Sequence, residues 1–232
     1  MIEVRPFENL GRFKNDWLNA RYHFSFADFH DPSRMGWGAL RVWNDDAIKA
    51  GTGFPRHGHR DMEIITYVRK GAITHRDHLG NEGRTEAGDV QVMSAGRGIL
   101  HEEWNQEGDD TQLFQIWIET GERGVAPRWE QRRFPREERH GELVPLASGR
   151  PQDADALKTH QDAAILGATL KKGETVPHRL TPGRKAYLVA AAGAFTVNGV
   201  AAKARDGVAI RDVETLEIVA SEDTELLLAD VA

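Results

Sequence analysis

The chain has 232 residues, a formal net charge of -6, 40% hydrophobic and 28% charged residues, and no cysteine. The missing cysteine excludes disulfides, thiolate metal sites and cysteine nucleophiles, and the negative charge, with no concentrated Lys/Arg stripe to oppose it, argues against direct nucleic-acid binding. No apolar run is long enough for a membrane span, and the opening MIEVRPFENLGRF interleaves charged and apolar residues unlike a signal peptide, so a cytoplasmic address is expected.

Taken in chain order, short runs alternate apolar and polar residues, first clearly at Glu63 to Val68 and again at Asp89 to Met93. Between them Gly80-Asn81-Glu82-Gly83 predicts a hairpin turn, as does Val197-Asn198-Gly199 farther on. Strands separated by glycine-containing turns every ten residues or so predict a mainly β chain built as antiparallel sandwiches or barrels. A more charged stretch, Arg128 to Thr159, contains Gln131-Arg132-Arg133-Phe134-Pro135 and Ser148-Gly149-Arg150-Pro151, and is expected to form a connector with a short helix. The flanking halves echo each other. Pro55-Arg56-His57, then Tyr67-Val68 and Gly71-Ala72, returns as Pro177-His178, then Tyr187-Leu188-Val189 and Gly193-Ala194, and Gly88 to Val90 loosely parallels Asp206 to Val208. A duplicated barrel is expected, with residues 1–134 forming the first, 135–159 the connector and 160–232 the second.

Of ten histidines, five fall between His57 and His101. Successive side chains on a strand point to opposite faces, so His57 and His59 share one face, as do His101 and Glu103, and two such pairs facing each other supply four metal ligands. His-x-His alone is weak, since this histidine content yields roughly 0.4 such pairs by chance. Context strengthens it: Gly51 precedes His57, and Gly88, Ser94, Gly96 and Asn105 punctuate the block around His101, where bends bring strands together. His75 and His78 flank the predicted hairpin and are expected to face solvent. His178 loosely matches His57, but Leu180 replaces the second histidine and no His-x-Glu pair follows, so the second barrel is expected to be metal-free.

Several stretches resemble the pirin family of two-domain cupins, and within it the bacterial members described as quercetin 2,3-dioxygenases. They are His23-Phe24-Ser25-Phe26-Ala27, Leu40 to Asp46, Phe54 to Ile64, Met93 to Glu103, Leu113 to Ile118 and Pro127 to Phe134. The resemblance is dense over the first 134 residues and thin afterwards. It implies two cupin barrels of the jelly-roll, double-stranded β-helix type, and one divalent metal held by His57, His59, His101 and Glu103. Iron is expected first, with copper, manganese, nickel and cobalt as alternatives. Cupins in general often use a carboxylate after the first histidine pair, here Glu63, but on a straight strand it would lie about 13 Å from His59. Glu63 is therefore expected to orient a ligand rather than be one.

The implied reaction is opening of a flavonol's central ring by O2, with release of carbon monoxide and formation of a depside, Glu103 acting as the base. Phe24, Phe26, Phe54, Met93 and Trp104 are candidate walls, although a barrel needs such residues simply to fill its interior. The resemblance also admits a non-enzymatic, redox-sensing regulator that acts through a protein partner, with Arg60, Arg97 and Glu102 beside the ligands. The partners expected are a flavonol or other enolisable small molecule and O2, and a monomer is expected because two barrels in one chain already supply the pairing single cupins obtain by dimerising.

Overall fold

The computed structural model describes residues 1–232. The first half contains β1 (Ile2–Arg5), β2 (Gly11–Lys14), β3 (Leu18–Tyr22), β4 (Leu40–Ile48), β5 (Gly53–His59), β6 (Met62–Lys70), β7 (Ala72–Asp77), β8 (Glu82–Glu86), β9 (Val90–Ser94), β10 (Ile99–Trp104), β11 (Thr111–Glu119) and β12 (Arg128–Arg132). After a 3-10 turn at Arg136–Arg139 come β13 (Val144–Ser148), β14 (Leu157–Lys158), β15 (Ala163–Leu170), β16 (Thr175–Arg179), β17 (Lys185–Ala192), β18 (Ala194–Val197), β19 (Val200–Lys203), β20 (Gly207–Arg211), β21 (Thr215–Ala220) and β22 (Thr224–Val231). No helix is long and apolar enough to cross a membrane.

Each half is a seven-stranded sheet facing a four-stranded one. The first pairs β12-β9-β6-β11-β4-β3-β2 with β5-β10-β7-β8, and the second pairs β1-β20-β17-β22-β15-β13-β14 with β16-β21-β18-β19. Both predicted hairpins form: β7 and β8 join across Gly80, and β18 and β19 join through Asn198 and Gly199, both at positive φ, as a two-residue primed turn requires. The internal echo is structural, since Gly71 and Gly193, both at positive φ, lead into the matching strands β7 and β18. The connector carries its short helix as the 3-10 turn. Within the stretch 135–159, however, β13 and β14 join the second seven-stranded sheet, β13 pairing with β15. The same sheet gains β1 from the opposite end of the chain through its ladder with β20. Strands of the second sheet therefore come from outside 160–232.

Strand parity decides what each sheet buries. On β6, Ile65 and Tyr67 join Trp43, Phe114, Tyr187 and Leu227 in a core shared by the two seven-stranded sheets, while Ile64 and Val68 turn into the first barrel. Burying a side chain such as Phe114 contributes on the order of 2 kcal/mol. Asp45, fully buried, ties the halves by pairing with Arg69 of its own barrel and Arg205 of the other. The second barrel's interior is one apolar cluster, whereas the first barrel's apolar residues split into two small ones. Between those two lie buried Thr66, Gln91, His101, Glu103 and Gln115. The first barrel has given up apolar filling for polar groups, which bury stably only when they are partnered.

Candidate metal centre

Strands β5 and β10 run antiparallel with His57 opposite His101, and the ladder is irregular between His101 and Glu103. On its other edge β10 pairs with β7, placing His101 opposite Asp77 and Glu103 opposite His75. The ring centroids of His57, His59 and His101 are 4.4 to 5.0 Å apart, and their ligand atoms lie within 4.8 Å of one another. His57 and His59 are half-buried and His101 is buried. His57 Nδ1 lies 2.8 Å from the Pro55 carbonyl, so that nitrogen carries the proton and Nε2 carries a lone pair. His57 Nε2 is 3.1 Å from His101 Nε2.

That spacing fits a transition metal. Two nitrogens bound at about 2.1 Å and at right angles stand about 3.0 Å apart. Two of the imidazoles are also held in the neutral form that donates a lone pair: burial first, then the neighbouring histidines, pushes His101 down to about 2 and His59 down to about 4.

Glu103, 2% exposed, accepts from Gln91 Nε2 at 2.6 Å on Oε1 and from Gln115 Nε2 at 2.8 Å on Oε2. With Thr66 as a third donor, the carboxylate still keeps a lone pair free. Burial pushes the carboxyl up to about 7 against the opposing pull of hydrogen bonds from Gln115, Gln91 and Thr66. Glu103 shares with His57 and His59 a cavity of about 300 Å³, whose other walls are Phe26, Phe54, Pro55, Arg56, Gln115 and Trp117. Trp117 meets His59 edge-on at 4.9 Å and Phe26 at 5.4 Å. Of three larger cavities, two of about 510 and 570 Å³ lie around the segment between the barrels and contain none of these histidines, and one of about 360 Å³ is lined by His59 and His78 but not by Glu103.

Glu63 takes no part. It shares strand parity with Ile65 and Tyr67, so it faces away from the first barrel's interior, where its Oε2 accepts from Ser94 Oγ at 2.6 Å. It orients none of the four candidate ligands. The expectation for His75 is also corrected: it is fully buried, stacks on Trp129 at 4.7 Å and lies 3.1 Å from Asp77 Oδ2 through Nε2. His78 is exposed as expected, its Nδ1 accepting the Leu100 amide at 3.1 Å. Among the candidate walls, Phe26 and Phe54 line the cavity, Phe24 fills the core between the barrels, Met93 packs with Ile64 and Ile99, and Trp104 stands outside the lining. Gln115 and Trp117 were not anticipated, although Leu113-x-Gln115-x-Trp117 places a polar residue on an otherwise apolar inward face. Arg60 and Arg97 are exposed, and Glu102 is half-buried near Arg76.

In the second barrel the β16–β21 ladder sets His178 opposite Leu216, and Leu180, Leu216 and Ile218 lie in its apolar core. His178 Nε2 lies 3.0 Å from Asp230 Oδ2, and the Asp230 carboxylate also pairs with Arg150 and Arg184.

Residues 3–118 match the family described as Pirin, and residues 146–231 match the Quercetinase C-terminal cupin domain. A Pseudomonas aeruginosa protein named "Putative quercetin 2,3-dioxygenase PA1210" is 60% identical over 232 residues, spanning 100% of both chains. "Quercetin 2,3-dioxygenase" of Escherichia coli K12 is 42% identical over 233 residues, covering 100% of this chain and 99% of its own. The solved structure of bacterial pirin YhhW from Escherichia coli in complex with nickel(II) superposes with a TM-score of 0.94 at 41% identity, covering 100% of this chain and 99% of that one. Two cupin domains in one chain, joined to matches of this extent along its whole length, show that the chain belongs to the pirin family.

Proposed function

We propose that the first barrel holds one divalent transition metal through His57, His59, His101 and Glu103, and that the protein is a dioxygenase acting on a flavonol or a related enolisable aromatic. The observation that carries this reading is the shared cavity: Glu103 faces the same space as His57 and His59, between the aromatic walls Phe26, Phe54 and Trp117. The donor set of three imidazoles and a carboxylate suits iron first, and also copper, manganese, nickel or cobalt. When bound, the ion supplies Lewis acidity that lowers the pKa of a substrate enol.

The chain's own groups do the rest. Glu103, the one carboxylate lining the cavity, is placed to accept an enol proton. Gln91 and Gln115 hold its two oxygens in place. Trp117, Phe26 and Phe54 flank a planar ring and keep water from it. Overall, one O2 is incorporated, the central ring opens, and one carbon leaves as carbon monoxide, giving a depside.

The test loads metal-free protein separately with ferrous, cupric, manganous, nickel and cobalt ions, adds quercetin in air, and follows flavonol bleaching together with carbon monoxide release, with His101→Ala alongside. Metal-dependent bleaching with matching carbon monoxide, lost in the variant, is the expected result. Metal binding without carbon monoxide for any ion overturns the flavonol assignment and turns attention to other enolisable substrates or to a protein partner.

A further inference from the structure

The buried pair His75 and Asp77 lies outside the proposed ligand set, yet a run of side-chain contacts joins it to His101 of that set. Asp77 Oδ1 accepts the backbone amides of Leu79 at 2.9 Å and Asn81 at 3.1 Å, while Oδ2 accepts Asn81 Nδ2 at 2.9 Å and stands 3.1 Å from His75 Nε2. A carboxylate surrounded by donors is ionised and can only accept, so a neutral His75 carries its one proton on Nε2 and its Nδ1 is bare. His75 Nδ1 lies 3.4 Å from His101 Nδ1. A bare nitrogen needs a donor opposite it, so His101 is protonated on Nδ1. Its Nε2 then bears a lone pair, 3.1 Å from His57 Nε2.

We propose that His75, backed by Asp77, is a positioning residue that fixes the tautomer and ring orientation of His101, presenting Nε2 to the metal; this rests on the metal site proposed above. The arrangement is a carboxylate–histidine–histidine chain, one imidazole longer than the carboxylate–histidine support that commonly stands behind metal-bound histidines. Trp129, parallel to His75 within 4°, holds the plane of that ring. Packing alone would be served equally by a phenyl group, which stacks on Trp129 without accepting a proton. His75 also forms a second cluster with His101 and Glu103 whose ligand atoms fall within 4.8 Å. Its Nδ1, however, is engaged by His101 and its Nε2 by Asp77, which leaves no free lone pair for an ion.

The experiment compares wild type, His75→Phe and His75→Gln. Cobalt(II) affinity is measured by chelator competition, the visible cobalt bands report ligand geometry, and 15N spectra of metal-free protein report the His101 tautomer. Expected results are an Nδ1–H tautomer for His101 in wild type, a loss of about 10- to 100-fold in affinity with altered cobalt bands for His75→Phe, and substantial rescue by His75→Gln, whose side-chain carbonyl accepts from Nδ1–H. Two results overturn the proposal: wild-type His101 protonated on Nε2, which requires no variant to fold, or a His75→Phe protein that binds cobalt as tightly as wild type. Wild type that binds no cobalt at all sinks the metal-site reading and this inference with it.

Discussion

His178 occupies in the second barrel the place His57 occupies in the first, but the residue facing it across the ladder is Leu216, where His57 faces His101. Following the same register, Leu180 stands for His59 and Ile218 for Glu103, and all three replacements belong to an apolar cluster. The fourth position is engaged as well, because His178 lies against Asp230, which Arg150 and Arg184 also pair. We therefore predict one metal ion per chain by elemental analysis of fully loaded protein, and the same stoichiometry in His178→Ala. A second equivalent lost with His178 would refute the assignment.

Metal affinity is predicted to depend on pH through Glu103. The ligand must be ionised, and burial pushes its carboxyl up to about 7, so protons compete with metal below that pH. Two of the imidazoles are held down, His59 to about 4 and His101 to about 2, and these two take up protons only in more acidic solution. Chelator competition is expected to show affinity nearly level above neutrality and falling about tenfold per pH unit below about 7. Glu103→Gln, which binds more weakly, is expected to lack this slope.

In the metal-free protein the same group governs stability, with a definite sign. Glu103 has its folded pKa raised from 4.5 to about 7, so its contribution is fully present below the unfolded value and disappears as pH rises through about 7. His101 and His59, both depressed, act oppositely: their contribution is present above the unfolded value of about 6.5 and is lost as pH falls below it. With a chelator present, Glu103→Gln is expected to be more stable than wild type at pH 8 by on the order of 1–3 kcal/mol, the gap narrowing toward pH 4.5. Thermal unfolding across that range checks it.

Asp45 joins the barrels from a fully buried position, paired with Arg69 and Arg205. Removing one partner of a buried ion pair leaves the other charge uncompensated, so Asp45→Ala is expected to lower unfolding stability by about 3–5 kcal/mol. Urea denaturation measures this, and Arg205→Ala, whose side chain is partly exposed, is expected to lower stability less.

The four proposed ligands were legible because two-residue periodicity sets His57 with His59 and His101 with Glu103 whatever the length of the loops between them. The buried role of His75 was not read, although the cue was present: His75 and Asp77 share parity with Ile73, which is fully buried, so the strand's inward face passes through all three. Proximity to the turn at Gly80 outweighed that pattern. Trp117 and Gln115 were missed because a cavity wall depends on which strands become neighbours, and the β6-β11-β4 order is set by pairing distant in sequence. The connector misled for the same reason. Val144–Ser148 looks isolated until β15 is laid beside it.

One consequence of the sheet order concerns the making of the protein. Because β1 lies along the edge of β20, and the Ala39 amide donates to the Ala232 carbonyl at 3.3 Å, segments of the first half dock against strands synthesised well after them. A polypeptide beginning at the connector would have no covering for Gly207–Arg211, leaving a bare row of amides and carbonyls open to a neighbouring copy. Dividing the gene between the barrels should thus yield a sticky second fragment, and supplying the opening segment as a separate peptide should restore a well-behaved one.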